Sequence, residues 1–527
     1  MTEPHPRRAA VTGIGVVAPN GASTESFWKS TQEGLSALGP VTREGCEHLP
    51  LRVAGEVRAF EPSAAVEERY VVQTDRFTHF ALAATDLALE DARLGQADTG
   101  DAPYSVGVVT AAGSGGGEFG QRELQRLWGK GSRFVGPYQS IAWFYAASTG
   151  QVSIRRGFKG PCSVVASDEA GGLDALAHAA RAVRRGTDVI VAGATEAPLA
   201  PYSVVCQLGY EELSTCEDPE RAYRPFTDGA CGFVPAEGGA MFVVEEESVA
   251  RERGARVRAT LAGHAATFTG ASRWEQSREG LAEAVRAALA DAGCAPEEID
   301  VVFADALGVP AADRAEALPH RRPRRARRAG AGHRAEDRVR AGLLRGAGAG
   351  QRGGGARHGA RPDPAHPARL RRLPRPRPRD RPGPPRRTAH GAGAQPGTHG
   401  VELGAGAAAR RRRRLVTGHG TRGAEPARGT AHKRNRAKER DRMSDRITVE
   451  ELAELMKKSA GVTVASDDLQ RQYDIGFDAL GIDSLGLLGI VGELENRYGT
   501  PMPPDAERSK TPRQFLDQVN SALLAGA

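Results

Sequence analysis

Ser484 follows an aspartate and opens an apolar run, Asp483-Ser484-Leu485, where the spacing predicts the start of a helix. A hydroxyl in that position faces water. A phosphate ester on it would meet the free backbone N–H groups of the first turn and the positive end of the helix dipole. Standing alone, an Asp-Ser pair ahead of a helix is an ordinary capping pair, so the weight falls on what surrounds it. Other candidate chemistry is thin. Six cysteines (Cys46, Cys162, Cys206, Cys216, Cys231, Cys294) are scattered without C-x-x-C pairs or neighbouring histidines, so metal-ligand spacing is absent. They are expected to be reduced thiols, mostly small apolar core filler. Gly13, Gly15 and Gly21 miss the G-x-G-x-x-G spacing of a nucleotide loop.

The elements that must position these residues divide the 527-residue chain into three parts. Up to about residue 317, β-branched runs such as Ala10-Val11-Thr12 and Ser163-Val164-Val165 alternate with Ala-rich helical stretches, Phe80 to Arg93 and Gly172 to Arg185, which predicts a layered α/β domain. The run Asp188 to Ala192, ending in Gly193, is apolar on both faces, as a strand between helical layers should be. A last strand is expected over Asp300-Val301-Val302-Phe303.

Residues 311–442 hold 34 Arg and 2 Lys against 10 Asp and Glu, a net of +26, although the whole chain is only +7. They contain no Phe, Tyr, Trp or Ile and cannot bury enough apolar area to offset chain entropy. Disorder over 318–442 follows, either as an evolved basic linker or as GC-rich DNA translated out of frame. Lys438-Glu439 can be AAG GAG, a ribosome-binding sequence, three codons ahead of Met443, which favours the second origin. The charge would neutralise nucleic-acid phosphates, but stacking aromatics and motif spacing are missing, so no specific nucleic acid is expected.

From Met443 the balance turns acidic, 8 basic against 14 acidic side chains. Thr448-Val449-Glu450-Glu451 makes a capping box for a helix burying Leu452, Leu455 and Met456. Asp483 caps a second helix, with Gly499 as its C-cap. Thr511 caps a third, which starts at Pro512 and buries Phe515, Val519 and Leu523. Three helices with long loops make a small all-α bundle over 443–527. No stretch approaches the roughly 18 apolar residues of a spanning helix, and Met1 to Ala10 lacks the apolar core of a signal peptide, so a cytoplasmic protein is expected.

Phe477-Asp478-Ala479-Leu480-Gly481-Ile482-Asp483-Ser484-Leu485 resembles the acyl carrier protein motif, over essentially all of 443–527. The resemblance implies that Ser484, flanked by Asp483 and Leu485, carries 4′-phosphopantetheine. It also implies a phosphopantetheinyl transferase to attach the group from coenzyme A and a malonyl-CoA:carrier acyltransferase to charge it. Glu493 and Glu495 would offer a negative face to basic partner enzymes.

Residues 1–317 resemble a β-ketoacyl synthase of the thiolase superfamily, about three quarters of one, with the second α/β half incomplete. The motifs are Val11 to Gly21 followed by Phe27-Trp28, Trp143 to Ala146 with Thr149-Gly150-Gln151, and Tyr223 to Asp228 through Gly232 to Gly239. A condensing synthase needs a low-pKa thiolate at a helix start; here Glu169 stands at that cysteine's position. Asp305 stands at a histidine position, with Asp313 and Glu316 keeping the later acids. Both losses resemble the chain-length factor of type II aromatic polyketide synthases, the non-condensing partner of a ketosynthase alpha subunit in a heterodimer. Glutamine is usual at the lost cysteine and linked to malonyl decarboxylation; an ionised Glu169 would repel a malonyl carboxylate unless burial raised its pKa. An active β-ketoacyl synthase, an acyltransferase, is the alternative, and a basic nucleic-acid-binding linker a further one.

Overall fold

The computed structural model describes residues 7–95, 103–167, 169–269, 274–317 and 446–526; the segment 318–442, expected to be disordered or out of frame, lies outside them. The first part opens with β1 (Ala9–Val17), α1 (Thr24–Gln32), β2 (Leu38–Pro40) and β3 (Val53–Gly55). Next come α2 (Pro62–Ala65), α3 (Glu68–Gln73), α4 (Arg76–Ala92), β4 (Val106–Ala111) and α5 (Gly117–Lys130). After α6 (Gln139–Ala142) and α7 (Ala147–Arg156), β5 (Cys162–Val165) leads into α8 (Gly171–Arg184), β6 (Val189–Glu196) and α9 (Pro201–Gln207). The part closes with β7 (Gly238–Glu246), α10 (Glu247–Glu252), β8 (Ala259–Thr260), α11 (Trp274–Ala292) and α12 (Pro310–Ala317).

Six strands form one mixed sheet in the order β5-β4-β6-β7-β1-β8, with β4 parallel to β5 and β6, and β7 antiparallel to β6 and β1. All eight residues of β6 are buried, and the strand runs three residues past the predicted end at Gly193, to Glu196. Its side chains alternate between two cores, as a pleat requires. Val189 and Val191 join Phe77, Phe80 and Ala84 of α4, whereas Ile190, Ala192 and Ala194 join Ala175, Ala179 and Val183 of α8. The result is helix, sheet, helix.

The glycines of β1 owe their place to packing. A Cβ on Gly15 would stand 1.9 Å from the Ala84 carbonyl oxygen and one on Gly13 2.1 Å from that of Ala88, so only glycine lets α4 lie this close to the strand. Two expectations fail here. Residues 300–303 form no strand, and Val301, Val302 and Phe303 are 60%, 52% and 55% exposed; a short apolar run becomes a strand only when a neighbouring strand takes up its backbone groups. Of the six free cysteines, only Cys46 is buried, while Cys162, Cys206 and Cys231 are exposed. No helix among the described residues is long and apolar enough to cross a membrane.

The last part has four helices rather than three: α13 (Val449–Ala460), α14 (Ser466–Arg471), α15 (Ser484–Tyr498) and α16 (Pro512–Gly526), with a 3-10 turn at Ala506–Arg508. Both sides of the predicted capping box at Thr448 and Glu451 are present. Leu452, Leu455, Met456, Ile490, Leu494, Phe515 and Val519 meet in a core drawn entirely from this part of the chain. Acidic side chains in the first turn of α13 and basic ones in its last turn, Lys457 and Lys458, complement its dipole.

Candidate functional site

The loop before α15 is fixed from three sides. Phe477 donates its backbone N–H to the Lys510 carbonyl (2.9 Å), and its ring meets Phe515 edge-on at 6.0 Å. Ile482 turns its N–H back to the Phe477 carbonyl (2.8 Å), and Gly481, at φ +84°, makes the bend. This delivers Asp483 in extended conformation as N-cap, where its carboxylate accepts from the Gly486 N–H at 2.7 Å. Ser484 is the first residue of a 15-residue helix and is exposed; Leu485 is half-buried.

With Gly486 engaged by the cap, and the Leu487 N–H donating to the Asp483 carbonyl at 3.0 Å, the N–H groups of Ser484 and Leu485 are the ones left by the helix ladder. They suit a phosphodiester on the serine hydroxyl, whose negative charge the helix start favours. The residues therefore fit a phosphopantetheine attachment. Of the two acids expected to face partners, Glu493 pairs with Lys458 (2.6 Å) and Glu495 accepts from the Met502 N–H (2.8 Å). Both partly serve the module's own structure.

In the synthase-like part, Glu169 lies half-buried in the turn leading to α8, whose N-cap is Ala170. Cys162 opens β5 seven residues earlier, exposed and on a strand rather than at a helix start. Nearby, Ser167 donates to Asp174 (2.9 Å), and Nε2 of His264 lies 3.4 Å from the other oxygen of Asp174. The aspartate stands between serine and histidine, so the imidazole does not reach the serine hydroxyl as it does in a catalytic triad.

Asp305 is exposed, at the mouth of a tightly held turn. Glu316 accepts the N–H groups of Asp305 and Ala306 (2.6 and 2.9 Å), and Asp313 accepts those of Gly308 and Phe226 (3.0 and 2.7 Å). Tyr223 donates its hydroxyl to the Ala306 carbonyl (2.5 Å), and the Gly232 N–H meets the Gly308 carbonyl (2.8 Å). Two stretches singled out in the sequence, Tyr223 to Gly239 and Asp305 to Glu316, thus converge on one turn, with Ala306 and Phe226 in left-handed conformation at φ +53° and +57°. Non-glycine residues hold such angles only when the surroundings enforce them.

Sequence reasoning missed two buried acids. Asp75, the N-cap of α4, accepts from the backbone N–H groups of Phe77 (3.2 Å) and Phe119 (2.7 Å), and burial pushes its pKa up to about 7. Glu196, at the end of β6, accepts from Ser114 (3.1 Å from the backbone N–H) and from Gly113, and burial pushes it up to about 7 as well, with the Asp75 charge adding to the effect. The two brace the ends of the segment 113–119. Ahead of an apolar helix Asp75 is visible as a cap, but its burial depends on Phe119, 44 residues away. No cluster of metal-ligating side chains occurs among the described residues.

Residues 7–250 match the family model for the N-terminal domain of β-ketoacyl synthases, residues 258–331 that for their C-terminal domain, and residues 450–519 that for a phosphopantetheine attachment site. The chain is 76% identical over 313 residues to a polyketide β-ketoacyl synthase 2 of Streptomyces halstedii, covering 59% of this chain and 75% of that protein. It is 50% identical over 319 residues to the tetracenomycin polyketide synthase ketoacyl synthase beta subunit of Streptomyces glaucescens, covering 60% and 77%. A solved complex of a type II polyketide synthase acyl-carrier protein with its ketosynthase, bound to the hexaketide, superposes with a TM-score of 0.52 at 28% identity, over 60% of this chain and 77% of that one.

Proposed function

The chain belongs to the β-ketoacyl synthase family, and from that premise we propose that it serves aromatic, type II polyketide biosynthesis as a chain-length-factor-like subunit joined to an acyl carrier domain. The observation that carries the carrier half is Ser484, exposed at the start of α15 behind a capped aspartate. 4′-Phosphopantetheine supplies a thiol on a long arm, able to hold malonyl and poly-β-ketone chains as thioesters. The chain's own residues position that arm: Asp483 caps the helix, the first-turn N–H groups receive the phosphate charge, and the loop 476–482 holds the serine clear of the core.

The synthase-like half makes no carbon–carbon bond in this reading, because Glu169 occupies the place of the acyl-accepting cysteine. A ketosynthase alpha subunit would supply the nucleophile, in a heterodimer. Support comes from the beta-subunit relatives and from the solved ketosynthase–carrier complex. A phosphopantetheinyl transferase and a malonyl-CoA:carrier acyltransferase complete the set of partners, all in the cytoplasm. Incubation with such a transferase and coenzyme A is expected to add one phosphopantetheine mass per chain, and Ser484→Ala to abolish the addition. An unchanged mass for folded wild-type protein overturns the assignment.

A further inference from the structure

We propose that Glu196 and Asp75 form a proton-operated latch on the segment 113–119, closed while the two carboxyls are neutral and released when they ionise. The inference lies outside the carrier chemistry and holds whatever Ser484 carries. Glu196, at the end of β6, is 0% exposed and Asp75, at the start of α4, 2%. They grip the segment from its two ends. One oxygen of Glu196 accepts the backbone N–H groups of Gly113 and Ser114, its other oxygen meets the Ser114 hydroxyl, and Asp75 accepts the Phe119 N–H. Arg76, the residue after Asp75, is taken up by Glu237 (3.0 Å), which also holds Arg43 (2.6 Å). On α5, Arg122 attracts the Asp75 charge while Glu118 opposes it. His79, one turn along α4, brings no charge, because burial pushes its pKa down to about 4. A carboxylate taken out of water without a paired cation gives way to the neutral acid, and two that repel each other titrate as a coupled pair.

The gripped segment has little else to hold it. A Cβ on Gly116 would stand 2.0 Å from the Ala142 carbonyl oxygen and one on Gly117 2.4 Å from the Ser203 hydroxyl, so glycines thread a slot between the end of α6 and α9 without side chains of their own to anchor them. Helix α5 begins at Gly117 behind Gly116, which offers no side-chain cap; Asp75, reaching across from α4, takes the place of one. In the closed state the Glu196 acid proton is donated to the Ser114 oxygen while the second oxygen keeps both N–H groups. Above neutral pH that proton leaves to solvent, and the buried charge is relieved when the segment opens and water enters. Opening frees the first turn of α5, whose outer face carries Leu124 and Trp128, 41% and 83% exposed. The latch thereby sets how firmly that apolar surface is presented.

The test uses the full-length protein. Hydrogen–deuterium exchange read by mass spectrometry, corrected for the intrinsic pH dependence of amide exchange, follows peptides spanning 112–120 and 189–194 on both sides of neutral pH. Protection of 112–120 is expected to fall above about pH 7, where both acids ionise, by up to about tenfold per pH unit for each proton lost, while 189–194, within β6, keeps its protection. Glutamine reproduces the neutral form of Glu196, its carbonyl accepting the two N–H groups and its NH2 meeting the Ser114 oxygen, and it cannot ionise. Glu196→Gln is therefore expected to remove one proton from the slope, about tenfold per pH unit, and to keep the segment protected at the alkaline end. A flat wild-type profile, or equal slopes in wild type and variant, would remove the latch. A fall shared by 189–194 would assign the effect to global unfolding and overturn it as well. Should the variant fail to fold, the two wild-type peptides decide alone.

Discussion

Replacing Asp483 separates the two ways in which it supports the start of α15. Its carboxylate makes one short bond, 2.7 Å, to the Gly486 N–H, and it places a negative charge at the positive end of a 15-residue helix. Losing an N-cap to alanine costs about 1 kcal/mol, and losing the charge about 0.5 kcal/mol at an exposed site. Asp483→Ala should therefore cost about 1.5 kcal/mol, and Asp483→Asn, which keeps the acceptor, about 0.5 kcal/mol. For a module of this size each kcal/mol moves the midpoint by about 4–8 °C, so alanine should lower Tm by about 6–12 °C and asparagine by about 2–4 °C. Residues 443–527 expressed alone suit the measurement, because their core draws on no other part of the chain. Thermal unfolding followed by far-ultraviolet circular dichroism, at low and high salt, reads both terms. Equal shifts for the two variants would refute the cap as the main contribution, and a salt-independent asparagine shift would refute the dipole argument.

Gly15→Val should displace α4, since even a Cβ there lies within 1.9 Å of the Ala84 oxygen; a loss of about 3 kcal/mol or more should appear as a lower urea midpoint, and an unchanged midpoint would contradict the packing. Asp75 and Glu196 rise from ordinary values of 3.8 and 4.5 to about 7 in the fold. The unfolded chain sheds these protons from about pH 4 while the folded chain keeps them, so stability from these two groups is fully present below about pH 4 and is lost as pH rises through about 7. Asp75→Asn should flatten that decline by up to about 1.4 kcal/mol per pH unit. It will also lower absolute stability, because its NH2 group would face an N–H, so the slope between about pH 5 and 7 is the readout; a parallel slope would sink the idea. Incubation with labelled acyl carrier should leave no thioester label on residues 7–317, and trapped label there would restore the condensing reading.

Much of this architecture is legible in the sequence because its signals are local. The Thr448 capping box, the Asp483 cap and the αL glycine at 499 each satisfy backbone groups within a few residues, and β6 announces itself as an uninterrupted apolar run. The helix α14 escapes notice because six residues with two aspartates bury only Leu469, which leaves no periodicity to detect. The expected strand at 300–303 fails for the opposite reason: its pattern is right, but pairing depends on a neighbour outside the segment. At the candidate sites, Ser484 is legible from a contiguous motif. The convergence of Tyr223, Phe226 and Gly232 on the 305–308 turn, through Asp313 and Glu316, joins residues some eighty positions apart.

The stretch Val301-Val302-Phe303 holds three large apolar side chains more than half exposed, outside any ladder. In a living cell such a stretch is bait: it is what chaperones and energy-dependent proteases grip when they sort unfinished chains from finished ones. Such exposure favours turnover of the whole polypeptide, attachment serine included.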